Sequence, residues 1–199
     1  MDTVQVLSTL RLGDDLLDQI RAVSSRLRVI EKTCHDAEQV AAALGQHGGT
    51  EVLYTFQVPD QILDVAPNLR WIQLHSAGAE HILDIPLADS GVVVTTSSGI
   101  HATPIAEYVF ASMLAHRWRV ARWTACQREG EWPKGRWQLY ARPELRDSTL
   151  GILGYGSIGR EVGRLGQAFG MRVLALRRSA GRSDGGYSLE GRGDPKGNV

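Results

Sequence analysis

The sequence has few of the features that mark membrane, secreted or nucleic-acid-binding proteins. No stretch approaches the run of about 18 uninterrupted apolar residues that a membrane span requires. The first residues, MDTVQVLSTLRLGDD, lack the basic start and apolar centre of a signal peptide. The formal net charge is zero, which gives no electrostatic reason to expect nucleic acid or an anionic membrane as a partner. Lysine is scarce, three against nineteen arginines, and Arg117, Arg119, Arg122 and Arg128 read as a solvated helix face. Cysteine is limited to Cys34 and Cys126, far apart and without a CxxC pattern. They read as reduced thiols of a cytoplasmic protein, and no metal site is expected. What is present, 43% hydrophobic and 22% charged residues over 199 positions, suits a soluble globular chain of one large domain or one and a half ordinary ones.

The first hundred residues alternate β-branched runs with amphipathic stretches. Strands are predicted at 4–9, 26–31, 51–56, 70–75 and 91–96, with helices at 14–25 and 36–45 and short turns at 60–66 and 78–84. That alternation predicts βαβ units and a mostly parallel sheet in a compact domain over 1–100. A longer helix follows at 104–118, with Thr103 as its N-cap and Pro104 at its first position. Two adjacent rows, Ile105–Val109–Met113 and Ala106–Phe110–Leu114, predict that most of this helix is buried. Residues 127–147 read as a loop anchored by Trp132, Trp137 and Tyr140, and 181–199, with six glycines, as a loop or disordered end.

The most informative stretch is STLGILGYGSIGREVGRLGQAFGMRVLALRRSA, residues 148–180. A strand at 149–153 runs into Gly154-Tyr155-Gly156-Ser157-Ile158-Gly159, and a helix at 157–169 runs out of it. The pattern G-x-G-x-x-G is weak by itself. Between a strand and a helix it predicts a dinucleotide site: Gly154 for the tight turn, Gly156 for close approach of a pyrophosphate, Gly159 for close helix–strand packing. The first amides of the helix would face the phosphates. At the end of the second strand, 171–176, an acidic residue would select NAD. Arg177 and Arg178 stand there instead, and a guanidinium can take a 2′-phosphate, so NADP is expected over NAD.

Three segments, LRWIQLHSAGAEHIL (69–83), VVVTTSSGIHATPIAEYVFASMLAHRW (92–118) and ELRDSTLGILGYGSIGREVGRLGQAFGMRVLALRR (144–178), together resemble the D-isomer-specific 2-hydroxyacid dehydrogenases. The resemblance implies an α/β chain: a flavodoxin-like substrate domain, 1–100, followed by an incomplete Rossmann NAD(P)-binding domain over 101–180. It implies that helix 104–118 crosses between domains and contributes to a homodimer. It also implies that Ala77 and Gly78, flanked by Ser76 and Ala79, offer backbone amides to the carboxylate of a small 2-oxo or 2-hydroxy acid. His101 reads as a capping or packing residue. The family's catalytic Arg, Glu and His are expected beyond the second Rossmann strand. None of His35, His47, His75, His81, His101 and His116 is assigned that role, so the chain is expected to be a truncated, inactive form. The competing reading is a non-catalytic NAD(P)-binding or dimer-partner module.

Overall fold

A computed structural model describes residues 3–135, 137–138, 143–177 and, as main chain, 188–191. The chain divides into two compact units, Met1–Ser98 and Gly99–Val199.

The first unit is a parallel five-stranded sheet, β1 (Val4–Ser8), β2 (Leu27–Glu31), β3 (Thr50–Thr55), β4 (Trp71–Leu74) and β5 (Val93–Thr95), in the order β2-β1-β3-β4-β5. This is the flavodoxin-like order 2-1-3-4-5, whose switch point lies between β1 and β3. All five strands fall on the β-branched runs expected of them. Helices α1 (Asp14–Ala22), α2 (Ala37–Gln46) and α3 (Ile62–Val65) connect them, with short 3-10 turns at Glu80–Ile82 and Pro86–Asp89. Helix α2 starts where it does because Asp36 accepts the Gln39 amide at 2.8 Å, while the Gln39 side chain accepts the His35 amide at 3.0 Å. The core is tight. Leu7, Leu44, Leu53, Ile62, Ile72 and Leu74 are all sealed from solvent.

The second unit begins with α4 (Ala102–Arg117) and α5 (Val120–Glu129). It continues through β6 (Thr149–Leu153), α6 (Ser157–Ala168), β7 (Arg172–Arg177) and β8 (Ser188–Gly191). Its sheet is parallel, in the order β6-β7-β8. Glycine ends α6: Gly170 sits at φ 72°, its amide bonds the Gln167 carbonyl at 2.8 Å, and the Met171 amide reaches back to Gly166 at 2.9 Å. That double bond is a Schellman closure, which satisfies two carbonyls that the helix end would orphan. Phe110 of α4 stacks on Phe169, ring centres 4.9 Å apart. The core around them is Phe110, Leu145, Ile152, Val162, Met171 and Val173.

Four expectations need correction. Helix α4 starts at Ala102 after His101, so Thr103 is not its cap and Pro104 is its third residue. Only Ala106 and Phe110 of its two apolar rows are buried, and Ile105 is exposed. After the expected helix ends, Arg119 takes a left-handed φ of 51°, and a second helix, not expected, runs from Val120 to Glu129 into the span read as loop. Trp132 and Trp137 in that span are exposed, and Tyr140 lies outside the described residues. Residues 188–191 of the Gly-rich end form a strand, because β7 offers them a main-chain edge to pair with.

The two cores differ in depth, and hydrogen exchange should rank them. Buried side chains of the first unit lie mostly at 0–2% exposure, whereas Ile152, Val162, Met171 and Val173 of the second retain 6–9%. Amides of β1, β3 and β4 should exchange last, and those of β6 and β7 about tenfold or more sooner. Equal protection in both sheets would contradict this ranking.

Candidate functional site

The glycine turn follows β6 at the carboxyl end of its sheet, where open parallel sheets bind ligands. Gly154 has φ 94°, a conformation a side chain would strain, and its amide bonds the Leu176 carbonyl at 2.9 Å. A Cβ at Gly159 would collide with the Gly154 carbonyl oxygen and lie 3.2 Å from Ile152 Cγ2. Glycine there lets helix and turn touch. Gly156 is different. Its φ is an ordinary −85°, and a Cβ would meet nothing within 4 Å. The folded chain itself gives no reason for a missing side chain at Gly156.

Gly156 is the N-cap of the twelve-residue α6, and no side chain caps that end. The amides of Ser157, Ile158 and Gly159 open the helix and have no intrahelical acceptor. Their surroundings are exposed except for Gly159, so the positive end of the helix dipole faces outward. Tyr155 is placed otherwise: its ring is buried at 4% exposure within the second core, and only its main chain belongs to the turn. Leu153 pairs with Leu176, which sets Arg177 level with Gly154 on the next strand. Arg177 is half-buried there, and Arg178 lies outside the described residues.

The sequence reading missed two glycines of this turn-helix unit. Gly163 and Gly166 are buried on the inner face of α6, and a Cβ at Gly166 would lie 2.7 Å from Leu150 Cδ2 and 3.1 Å from Val173 Cγ2. Their spacing behind Gly159 is the signal that could have found them, since residues four and seven apart share a helix face.

In the first unit, β4 ends at Leu74, and after His75 the chain turns through Ser76–Ala79. Ser76 Oγ donates to the Gly78 carbonyl at 2.7 Å, and the Ser97 amide bonds the Ser76 carbonyl at 2.9 Å. The turn leads into the three-residue 3-10 segment, within the short turn expected at 78–84. Ala77 is exposed, and Gly78 is overlain by the Glu80 carboxylate. His75 Nδ1 lies 2.6 Å from Tyr54 Oη. Burial pushes the Tyr54 phenol above its usual range, which keeps its proton on. Burial also raises the Cys34 thiol, against the pull of Lys32. Glu161 is lowered chiefly by its hydrogen bond from Arg164. Both cysteines are free. His101 caps α4 through its main chain only. Among the described residues no group of His, Cys, Asp and Glu could hold a metal, and no helix is long and apolar enough to cross a membrane.

A groove of about 790 Å³ lies at the other end of β6, lined by Met113, His116, Arg119, Leu145, Leu150 and Met171. It is separate from the glycine turn, which sits at the strand's carboxyl end.

A flavodoxin-ordered sheet followed by a strand, glycine turn and open helix N-terminus defines an α/β protein of the dinucleotide-binding class. Residues 110–191 match the family described as D-isomer specific 2-hydroxyacid dehydrogenase, NAD binding domain. Over those residues the chain is similar to the D-isomer-specific 2-hydroxyacid dehydrogenases. It is 37% identical over 135 residues to a glyoxylate reductase of Aeropyrum pernix, covering 65% of this chain and 40% of that protein. It is 33% identical over 119 residues to a hydroxypyruvate reductase of Thermotoga maritima, covering 60% and 38%. A solved structure of a family protein from Aeromonas salmonicida superposes with a TM-score of 0.70 at 25% identity, over 94% of this chain and 57% of that one. The matched region thus spans about two fifths of the length of these curated relatives.

Proposed function

We propose that this chain carries the cofactor turn and the substrate loop of an NAD(P)-dependent oxidoreductase that interconverts small 2-oxo and D-2-hydroxy acids. The observation that carries the reading is Gly156: a residue with ordinary backbone and empty space around it, set at an uncapped helix N-terminus. A pyrophosphate lying against the main chain is the physical reason for glycine there. The family match over residues 110–191 and the glyoxylate and hydroxypyruvate reductases among the relatives support the substrate class.

In this reading residues 1–100 form the substrate domain and 101–180 the cofactor domain. The amides of Ser157, Ile158 and Gly159 hold the pyrophosphate, and Arg177 faces the adenosine ribose, which favours NADP over NAD. A bound nicotinamide supplies the hydride acceptor or donor. Ala77 and Gly78 fix the substrate carboxylate by main-chain amides, which orients its C2 without a charged side chain. Glu80 must swing off Gly78 for that to happen, a rotation open to an exposed side chain. The proton-transferring base is assigned to none of the six histidines. The exposed side of α4 suits a homodimer contact, and the two free thiols suit the cytoplasm.

The test separates binding from folding. Replacing Gly156 by Ala should leave stability within about 0.5 kcal/mol, since the new methyl meets no neighbour. The same change should lower dinucleotide affinity by about tenfold or more, read by quenching of reduced-cofactor fluorescence. Unchanged affinity in Gly156→Ala would remove the pyrophosphate from this turn.

A further inference from the structure

We propose that His75 is a specificity-determining residue, pinned by Tyr54 so that its Nε2–H meets a polar group on C3 of the bound acid. This rests on the reading of Ala77 and Gly78 as the carboxylate loop. Four observations meet at this ring. Its main chain is fixed by the His75 amide bonding the Thr55 carbonyl at 2.8 Å. Its Nδ1 is held by Tyr54 Oη at 2.6 Å, with the two rings edge to face, 5.8 Å apart at 77°. Phe56 flanks it at 6.2 Å. The ring is exposed, and it stands at the carboxyl ends of neighbouring strands β3 and β4, two residues before Ala77.

A surface histidine with one aromatic neighbour would need no further explanation. This one has its orientation set from three sides while its far nitrogen is left over. A neutral phenol is a better donor than acceptor, so we assign Tyr54 Oη–H as donor to Nδ1, the tautomer that puts the imidazole proton on Nε2. Nε2 then lies on the side of the ring opposite Tyr54, with no bonding partner among the described residues. His75 and Ala77 Cα atoms are at most about 7 Å apart, the reach of two extended residues. A three-carbon acid anchored by C1 at Ala77 and Gly78 therefore brings its C3 substituent within range of the imidazole, whereas a two-carbon acid has no such atom. The ring favours a hydroxyl or carboxylate on C3, as in hydroxypyruvate, over the methyl of pyruvate.

The experiment uses the full chain, isotope-labelled, with oxidised NADP present so that the oxo acids bind without turnover. Hydroxypyruvate and pyruvate are titrated separately while the Ala77, Gly78 and His75 signals are followed. Hydroxypyruvate should bind about tenfold more tightly, the size of one satisfied hydrogen bond. His75→Leu should bring that ratio close to one without changing pyruvate affinity, and His75→Gln, which keeps a donor, should restore part of it. Tyr54→Phe should reduce the ratio by releasing the ring. An unchanged ratio in His75→Leu, with both acids still shifting Ala77 and Gly78, overturns the role of His75 and leaves the carboxylate loop standing. If neither acid shifts Ala77 and Gly78 in the unaltered chain, the loop reading itself falls and this inference falls with it.

Discussion

Gly159→Ala should unfold the second unit well before the first. The added methyl would meet the Gly154 carbonyl oxygen, which belongs to a main chain already held at φ 94° and tied to β7 by its amide. A side chain in the way could rotate, but this oxygen can move only if the turn or the helix moves. Overpacking of that kind costs about 1–3 kcal/mol, and a rigid neighbour puts Gly159 at the upper end. Gly166→Ala offers the comparison. Its methyl would press on Leu150 Cδ2 and Val173 Cγ2, side-chain ends with some freedom, so the loss should be smaller. Four of the five tryptophans, Trp118, Trp123, Trp132 and Trp137, lie in the second unit. Urea unfolding followed by tryptophan fluorescence in a Trp71→Phe background therefore reports on that unit. A Gly159→Ala midpoint equal to that of the unaltered chain would show that α6 is not held against the turn at this point. Dinucleotide affinity should fall as well, but only together with stability, whereas Gly156→Ala should lower affinity alone. The pair of variants divides one motif into a residue kept for folding and a residue kept for a ligand.

That division marks how far sequence reasoning reached. The five strands of the first unit were legible because each is a short run rich in β-branched and aliphatic residues set between helical or turn segments, and in β4 the buried Ile72 and Leu74 also alternate. The glycine fingerprint was legible because a strand precedes it and an amphipathic helix follows it. What escaped depends on contacts remote in the chain or on unusual backbone. The break between α4 and α5 is a left-handed arginine, Arg119, at a position with no glycine or proline to announce it. Strand β8 exists through its pairing with β7, and its composition alone speaks for a loop. The burial of Tyr155 follows from the direction the turn leaves β6, which the motif does not specify. The Tyr54–His75 bond joins residues 21 apart and becomes visible only once Tyr54 is known to pair with Gln73 across β3 and β4. Local pattern revealed the elements and the glycine turn, and strand register revealed the residues around the 76–79 loop.

Arg177→Ala should lower NADPH affinity by about 10- to 100-fold while leaving NADH within about twofold, and Arg177→Asp should reverse the preference. The expectation rests on where β7 ends. Leu176 receives the Gly154 amide, so the next residue stands beside the turn that holds the pyrophosphate in the proposed site. The adenosine ribose of an extended dinucleotide falls at this strand end, and its 2′ position is the only place where NADP and NAD differ. A guanidinium offers the 2′-phosphate a forked pair of charge-assisted hydrogen bonds, worth about 1.5–3 kcal/mol, which is the stated affinity loss. With NADH it has only a neutral hydroxyl to meet, so removing it changes little. Aspartate repels the phosphate and accepts from both ribose hydroxyls, which gives the reversal its sign. Ionic strength supplies a second readout: NADPH binding should weaken with added salt more steeply than NADH binding, and Arg177→Ala should flatten that difference. Arg178→Ala removes the same charge one position further along and is the comparison for charge alone. If Arg177→Ala weakens both cofactors equally, Arg177 supports the turn rather than reading the ribose. If the unaltered chain binds NADH more tightly than NADPH, the arginine at this strand end does not select NADP.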